Sequence, residues 1–137
     1  MLQGAIIGLI IGLGMAIVFW WMASKKKPSF DLPAARSETF SVGLAPAAAV
    51  AKVAEAASAM GLSVALSDTA ANRVLLDEPT SIKNYGAYLR VSAAGEGDGA
   101  AVTVDLVNKA PQWGPVVTKK HRLLTGKVKG ALGLAPA

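Results

Sequence analysis

The chain has no cysteine and a single histidine. Without a thiol there is no cysteine nucleophile, no cysteine-based metal site and no lipoprotein acylation site. The lack of cysteine says nothing about redox compartment. A serine–histidine–acid arrangement has only His121 to use, and no acid stands near it in sequence. Asp77 and Glu78 are adjacent on a strand candidate and point to opposite faces, a poor arrangement for paired acid–base work or chelation. The segment Gly95-Glu96-Gly97-Asp98-Gly99 is glycine-rich, but it lies between two strand candidates, lacks lysine and carries two acids, so it reads as a hairpin turn and not a phosphate loop. Aromatics interleaved with bases are sparse. Tyr85, Tyr88 and Arg90 offer only a weak nucleic-acid surface. These absences argue against an enzyme and against nucleic acid as a partner. No catalytic residue, metal ligand or cofactor is expected.

Charge is also missing from residues 1–24, MLQGAIIGLIIGLGMAIVFWWMAS, and Lys25-Lys26-Lys27 follows at once. Leu2 to Ala23 as a helix is roughly 33 Å long, enough for one pass through a bilayer core of about 30 Å. Trp20 and Trp21 sit where an aromatic belt belongs, and the three lysines suit the headgroup zone beyond it. A cleaved signal peptide needs a basic start, a shorter apolar core and small residues before the cut. None of these is present. Positive charge only on the C-terminal flank predicts a retained single-pass anchor in the inner (plasma) membrane, with the N-terminus outside and the following domain cytoplasmic.

Gly4, Gly8, Gly12 and Ala16 recur every four residues along this helix. Such a row of small residues lets another helix approach closely, either a second copy or a partner subunit.

Residues 1–27 are therefore expected to form the anchor with its basic stop. Residues 28–38 read as a linker, because Pro28 and Pro33 interrupt it. Residues 39–132 form one small domain, and 133–137 a tail. The domain is rich in alanine, which predicts a thin core.

Within the domain, Thr39 to Leu44 is a strand candidate. Pro46 to Met60 is a helix started by proline and closed by Gly61, with Val50, Val53, Ala57 and Met60 on one stripe. Leu62 to Ser67 and Arg73 to Glu78 are strands joined by a turn. Pro79 to Asn84 is a loop. Tyr85 to Ala94 and Ala100 to Asn108 form a hairpin. One register pairs Val91 with Val104 and Leu89 with Leu106 on one face, and Arg90 with Asp105 and Ser92 with Thr103 on the other. Val116 to Leu132 is the last helix, with Val117, Leu124, Val128 and Ala131 forming its apolar stripe. The order β-α-β-β-β-β-α predicts an α+β two-layer sandwich, an antiparallel sheet with both helices on one face.

Formal net charge is +5. From Val116 onward the chain carries Lys119, Lys120, Arg122, Lys127 and Lys129 and no acid, which equals that whole excess. Those bases suit anionic lipid or an acidic subunit surface. Trp113, in the proline-flanked segment Pro111-Gln112-Trp113-Gly114-Pro115, is a candidate interface anchor or a cover for the sheet edge. The expected function is that of a non-catalytic accessory or scaffold subunit of a larger transport, respiratory or photosynthetic membrane complex. The alternative is a tethered domain that binds a lipid or a small apolar ligand, for which a cavity is the distinguishing feature.

Overall fold

The computed structural model describes residues 2–25, 27–79, 86–109 and 114–134, and the side chains of the first helix from 9 to 22. That helix, α1 (Leu2–Lys25), exposes Leu9, Ile10, Ile11, Leu13, Met15, Ile17 and Val18, which spread over more than half of its circumference. Among the described residues, no helix is long and apolar enough to cross a membrane. The described side chains of α1 form a stretch shorter than the ~20 residues that a bilayer core requires.

Beyond α1 the chain forms β1 (Arg36–Val42), α2 (Pro46–Ala56), a 3-10 turn (Ser58–Met60), β2 (Ser63–Asp68), β3 (Arg73–Asp77), β4 (Ala87–Glu96), β5 (Gly99–Asn108) and α3 (Pro115–Ala131). The sheet order is β1-β5-β4-β3-β2, and every neighbouring pair is antiparallel. This is the expected small α+β domain. α2 carries the chain from β1 at one edge, over β5, β4 and β3, to β2 at the other edge.

The β4–β5 register matches the one read from the side-chain alternation: Leu89 opposite Leu106, Arg90 opposite Asp105, Val91 opposite Val104 and Ser92 opposite Thr103. Gly97 and Asp98 make the two-residue turn between Glu96 and Gly99. Gly97 has φ 56° while Asp98 has no positive φ, the sign pattern of a type II′ turn that favours glycine first. At the β2–β3 turn, the Asp68 carboxylate accepts the Ala71 N–H at 3.2 Å and pairs with Arg73 at 3.1 Å. The Ala71 N–H first, and the Arg73 side chain second, hold the Asp68 carboxyl below its ordinary range.

α2 begins at Pro46 as expected but ends at Ala56, and a separate 3-10 turn continues to Met60. Gly61, with φ 77°, closes that turn, and Leu62 N–H donates to the Ala57 carbonyl at 2.9 Å. β1 starts at Arg36, earlier than the expected Thr39, and stops at Val42. Its outer-face residues Ser37 and Thr39 bond to Asp105 and Thr103 of β5, and Ser41 to Glu96 of β4. That edge therefore carries little of the apolar alternation that marks a strand in sequence.

The main core lies between the sheet and both helices. Val53 from α2, Val117 and Val128 from α3, and Val74, Leu76, Leu89, Val91, Val104 and Leu106 from the sheet are almost wholly buried there. Alanines at 49, 57, 87, 93 and 100 let α2 lie close, while valine and leucine from the strands supply the bulk. The opposite sheet face holds a second, smaller cluster of Leu75, Tyr88 and Val107. Phe30 and Leu32 pack against it. The segment expected as a linker is thus partly a strap laid on the sheet, and β1 begins inside its expected range.

Candidate interaction surface

Two clefts flank α3, and its bases divide between them. The first lies between α3 and the β1 edge, has a volume of about 480 Å³, and is lined by Glu38, Thr118, His121, Arg122, Thr125 and Lys129 among others. Lys129 pairs with Glu38 at 2.9 Å, and its ammonium stands 5.2 Å from the centre of the Phe40 ring. Buried His121 meets the Val104 carbonyl at 3.1 Å through Nε2. A carbonyl only accepts, so Nε2 carries the proton. His121 therefore ties α3 to β5, the role of a buried structural histidine. The buried Thr125 hydroxyl has no hydrogen-bond partner among the described residues.

The second cleft lies between α3, the 3-10 turn and the end of β3. Its volume is about 710 Å³. Met60, Leu62 and Leu124 form an apolar floor, Val116 and Leu123 an apolar wall, and Lys119, Lys120 and Lys127 the rim. Val116 is 66% exposed and Leu123 60% exposed. The apolar stripe expected on α3 is buried at Val117, Leu124 and Val128. Val116 and Leu123 form a second apolar pair that the described residues leave exposed.

The rim is braced on two sides. Lys120 pairs with Glu78 at 2.9 Å, and Lys127 donates to the Met60 carbonyl at 3.3 Å. The ion pairs among the described residues join Arg73 to Asp68, Arg90 to Asp105, Lys109 to Asp77, Lys120 to Glu78 and Lys129 to Glu38, so Lys119 and Arg122 take part in none.

A third constellation fixes the strap on the far side of the sheet. Arg90 Nη1 donates to the Phe30 carbonyl at 2.7 Å and to the Leu32 carbonyl at 2.6 Å, and Arg90 Nε to Asp105 at 2.8 Å. The Arg73 guanidinium stacks 4.3 Å from the centre of the Phe30 ring. Ala35 N–H donates to the Leu106 carbonyl at 2.7 Å and leads into β1. Nearby, Lys109 is buried at the end of β5. Its ammonium pairs with Asp77, donates to the Glu78 carbonyl at 2.8 Å and stands 4.8 Å from the Tyr88 ring centre. Burial first, and the Asp77 charge second, raise the Tyr88 phenol above its ordinary 10.0.

The other expected site residues fall as follows. Gly4, Gly8, Gly12 and Ala16 lie on α1, and a Cβ added at Gly12 meets nothing within 4 Å. The surroundings of Gly4 and Gly8, the Lys25 side chain, and all of Lys26, Trp113 and Tyr85 lie outside the described residues. Trp20 and Trp21 lie on the last turns of α1, and Lys27 is exposed just beyond it. Sequence reasoning missed Val116 and Leu123 as exposed apolar groups, and it missed the strap. Among the described residues no group of histidine, aspartate and glutamate is arranged to hold a metal ion.

No protein-family model and no curated protein matches the chain. Among solved structures the chain resembles the crystal structure of Ara h 8.0201, over 71% of this chain and 93% of that one, with a TM-score of 0.40 and 10% identity.

Proposed function

We propose that this protein is a non-catalytic, single-pass membrane protein that serves as an accessory or scaffold subunit of a larger inner-membrane complex. α1 is the anchor, and the α+β domain lies on the cytoplasmic side. A helix that is apolar all round belongs inside a membrane or a protein core, and the α+β domain leaves most of the described part of α1 exposed. The basic run after α1 sets the orientation. Gly4, Gly8, Gly12 and Ala16 supply the packing face for a membrane partner or a second copy. Trp20, Trp21, Lys25, Lys26 and Lys27 hold the interface with lipid.

The observation that carries the interaction reading is the exposed pair Val116 and Leu123 on a helix that is otherwise lysine-rich on that side. Large apolar side chains grouped in a groove and rimmed by polar residues mark an interaction site. A non-catalytic role is favoured by His121, whose Nε2 is engaged with a backbone carbonyl.

The alternative, a tethered binder of lipid or a small apolar ligand, has the α3 groove of about 710 Å³ as its site. The space between sheet and helices, where an enclosed ligand would sit, is filled by Val53, Leu76, Leu89, Val91, Leu106 and Val128.

Extraction in mild detergent through a C-terminal tag, followed by mass spectrometry, tests the reading. A stoichiometric membrane complex, released by Gly8→Ile, is the expected result. Recovery of the chain alone with bound lipid supports the alternative.

A further inference from the structure

We infer that the groove between α3 and the 3-10 turn receives an acidic amphipathic helix of a partner subunit. This rests on the accessory-subunit reading and names the partner's chemistry.

The spacing on α3 is that of a helix-packing seam. Val116 and Leu123 are seven residues apart, and Lys119, Lys120 and Lys127 fall three or four residues from one or both of them. On a helix these positions share one face. Val116 and Leu123 repeat at heptad spacing and Lys120 and Lys127 take the flanking position four residues after each, while Lys119 and Gly126 stand where a coiled coil would carry its second apolar row, so the apolar contact rests on Val116, Leu123 and the groove floor. The floor of Met60, Leu62 and Leu124 continues the apolar surface inward.

Charge sets the sign of the occupant. α3 carries Lys119, Lys120, Lys127 and Lys129 with Arg122, and no acid. Lys119 stands on the rim outside every ion pair among the described residues. Lys127 gives one donor to the Met60 carbonyl, and an ammonium has three, so it keeps donors for a carboxylate. Lys120 is the least available base, because Glu78 already faces it. Acids on the partner are therefore expected opposite Lys119 and Lys127.

Position favours a protein over the bilayer surface. The strap that leads in from α1 lies on one face of the sheet, with Phe30 and Leu32 against Leu75, Tyr88 and Val107. α3 packs on the other face. The sheet stands between the groove and the point where the anchor joins the domain.

The test uses the full chain in neutral-lipid nanodiscs. The probe is a labelled 21-residue helical peptide, with leucine along one stripe and glutamate on both sides of it. Saturable binding is expected, weakened about tenfold or more by Leu123→Glu and by the Lys119→Glu/Lys127→Glu pair. A matching peptide with lysine in place of glutamate should recover binding to the double variant but not to Leu123→Glu. Leu123 is exposed, so unchanged thermal unfolding verifies that the variants fold. Equal binding by Leu123→Glu overturns the inference, as does displacement of the peptide by phosphatidylglycerol vesicles, which assigns the groove to lipid. Co-purification separates the two levels. A complex that survives Leu123→Glu and the double variant removes the groove but keeps the accessory subunit, whereas the absence of any complex removes the accessory-subunit reading itself.

Discussion

Arg90 and Asp105 face each other across β4 and β5 with Nε 2.8 Å from the carboxylate, and the same guanidinium clamps two carbonyls of the strap. Asp105 also accepts the Ser37 hydroxyl at 2.5 Å, so one ion pair joins β1, β5, β4 and the incoming chain. The geometry needs a planar fork. Nε serves the carboxylate while Nη1 serves the carbonyls, and a lysine has one nitrogen for all three. Arg90→Met should cost about 2–4 kcal/mol, because it takes the charge partner from a mostly buried carboxylate, which keeps only the Ser37 hydroxyl, and the donor from two carbonyls. Arg90→Lys should recover only part of that. Urea denaturation of the full chain in detergent measures the loss. Faster chymotrypsin cleavage at Phe30 reports release of the strap.

Gly99 is set by a close approach of backbone. A Cβ built there falls 2.0 Å from the Val42 carbonyl oxygen at the end of β1. The obstacle is main chain, so no rotamer change relieves it. Gly99→Ala should cost about 3 kcal/mol or more, at the upper end of overpacking effects. Gly43→Ala is the control, since a Cβ there meets nothing within 4 Å and should change stability by about 0.5 kcal/mol or less. Equal unfolding midpoints for the two variants would remove this close approach from the account of the β1–β5 edge.

Lys109 is a lysine that is 6% exposed with a carboxylate partner, Asp77, that is 36% exposed. Breaking a fully buried pair costs about 3–5 kcal/mol, but Asp77 can rehydrate once its partner is gone. Lys109→Met keeps the stem that fills the space beside Tyr88 and removes the ammonium. A loss of about 1–2 kcal/mol is expected, mainly from the Glu78 carbonyl that loses a donor. Lys109→Ala should cost more, since it also empties the space filled by the stem. The difference between the two variants in equilibrium unfolding separates packing from charge.

The parts of the fold legible in sequence are those written in side-chain alternation. The β4–β5 register follows from Leu89, Val91, Val104 and Leu106 on one face and from Arg90 opposite Asp105 on the other, because a one-residue slip mixes the faces. Pro46 and Gly61 mark the ends of the α2 region for equally local reasons. The strap was not legible, because its partners for Arg90 are backbone carbonyls, which every residue has. Phe30 and Leu32 look like any linker apolar pair until the Leu75 face is built. The start of β1 was hidden because its edge is mostly polar, with its order coming from Asp105 and Thr103 on the next strand. On α3 the buried stripe was readable from its period. Val116 and Leu123 lie on the neighbouring face, where two apolar residues seven positions apart among lysines are too sparse to read as a row of their own.

Tyr88 gives the domain an alkaline limit. Its phenol is raised above 10.0 by burial and by the Asp77 charge, while Lys109 faces the ring. The folded state then holds the phenolic proton more tightly than the unfolded state. By linkage, that contribution to stability is fully present below about pH 10 and is lost as pH rises through the raised folded-state value. Stability of the full chain should therefore fall more steeply above about pH 10 than for Tyr88→Phe. The substitution also removes whatever the hydroxyl contributes at neutral pH, which displaces the whole curve without changing its slope. All other ionisable groups are common to both proteins and largely cancel in the difference. Urea unfolding of both proteins at several pH values between 8.5 and 11.5 provides the measurement. Parallel curves would mean that the phenol ionises as easily in the folded domain as in the unfolded chain, and would place the hydroxyl outside the apolar cluster of Leu75 and Val107.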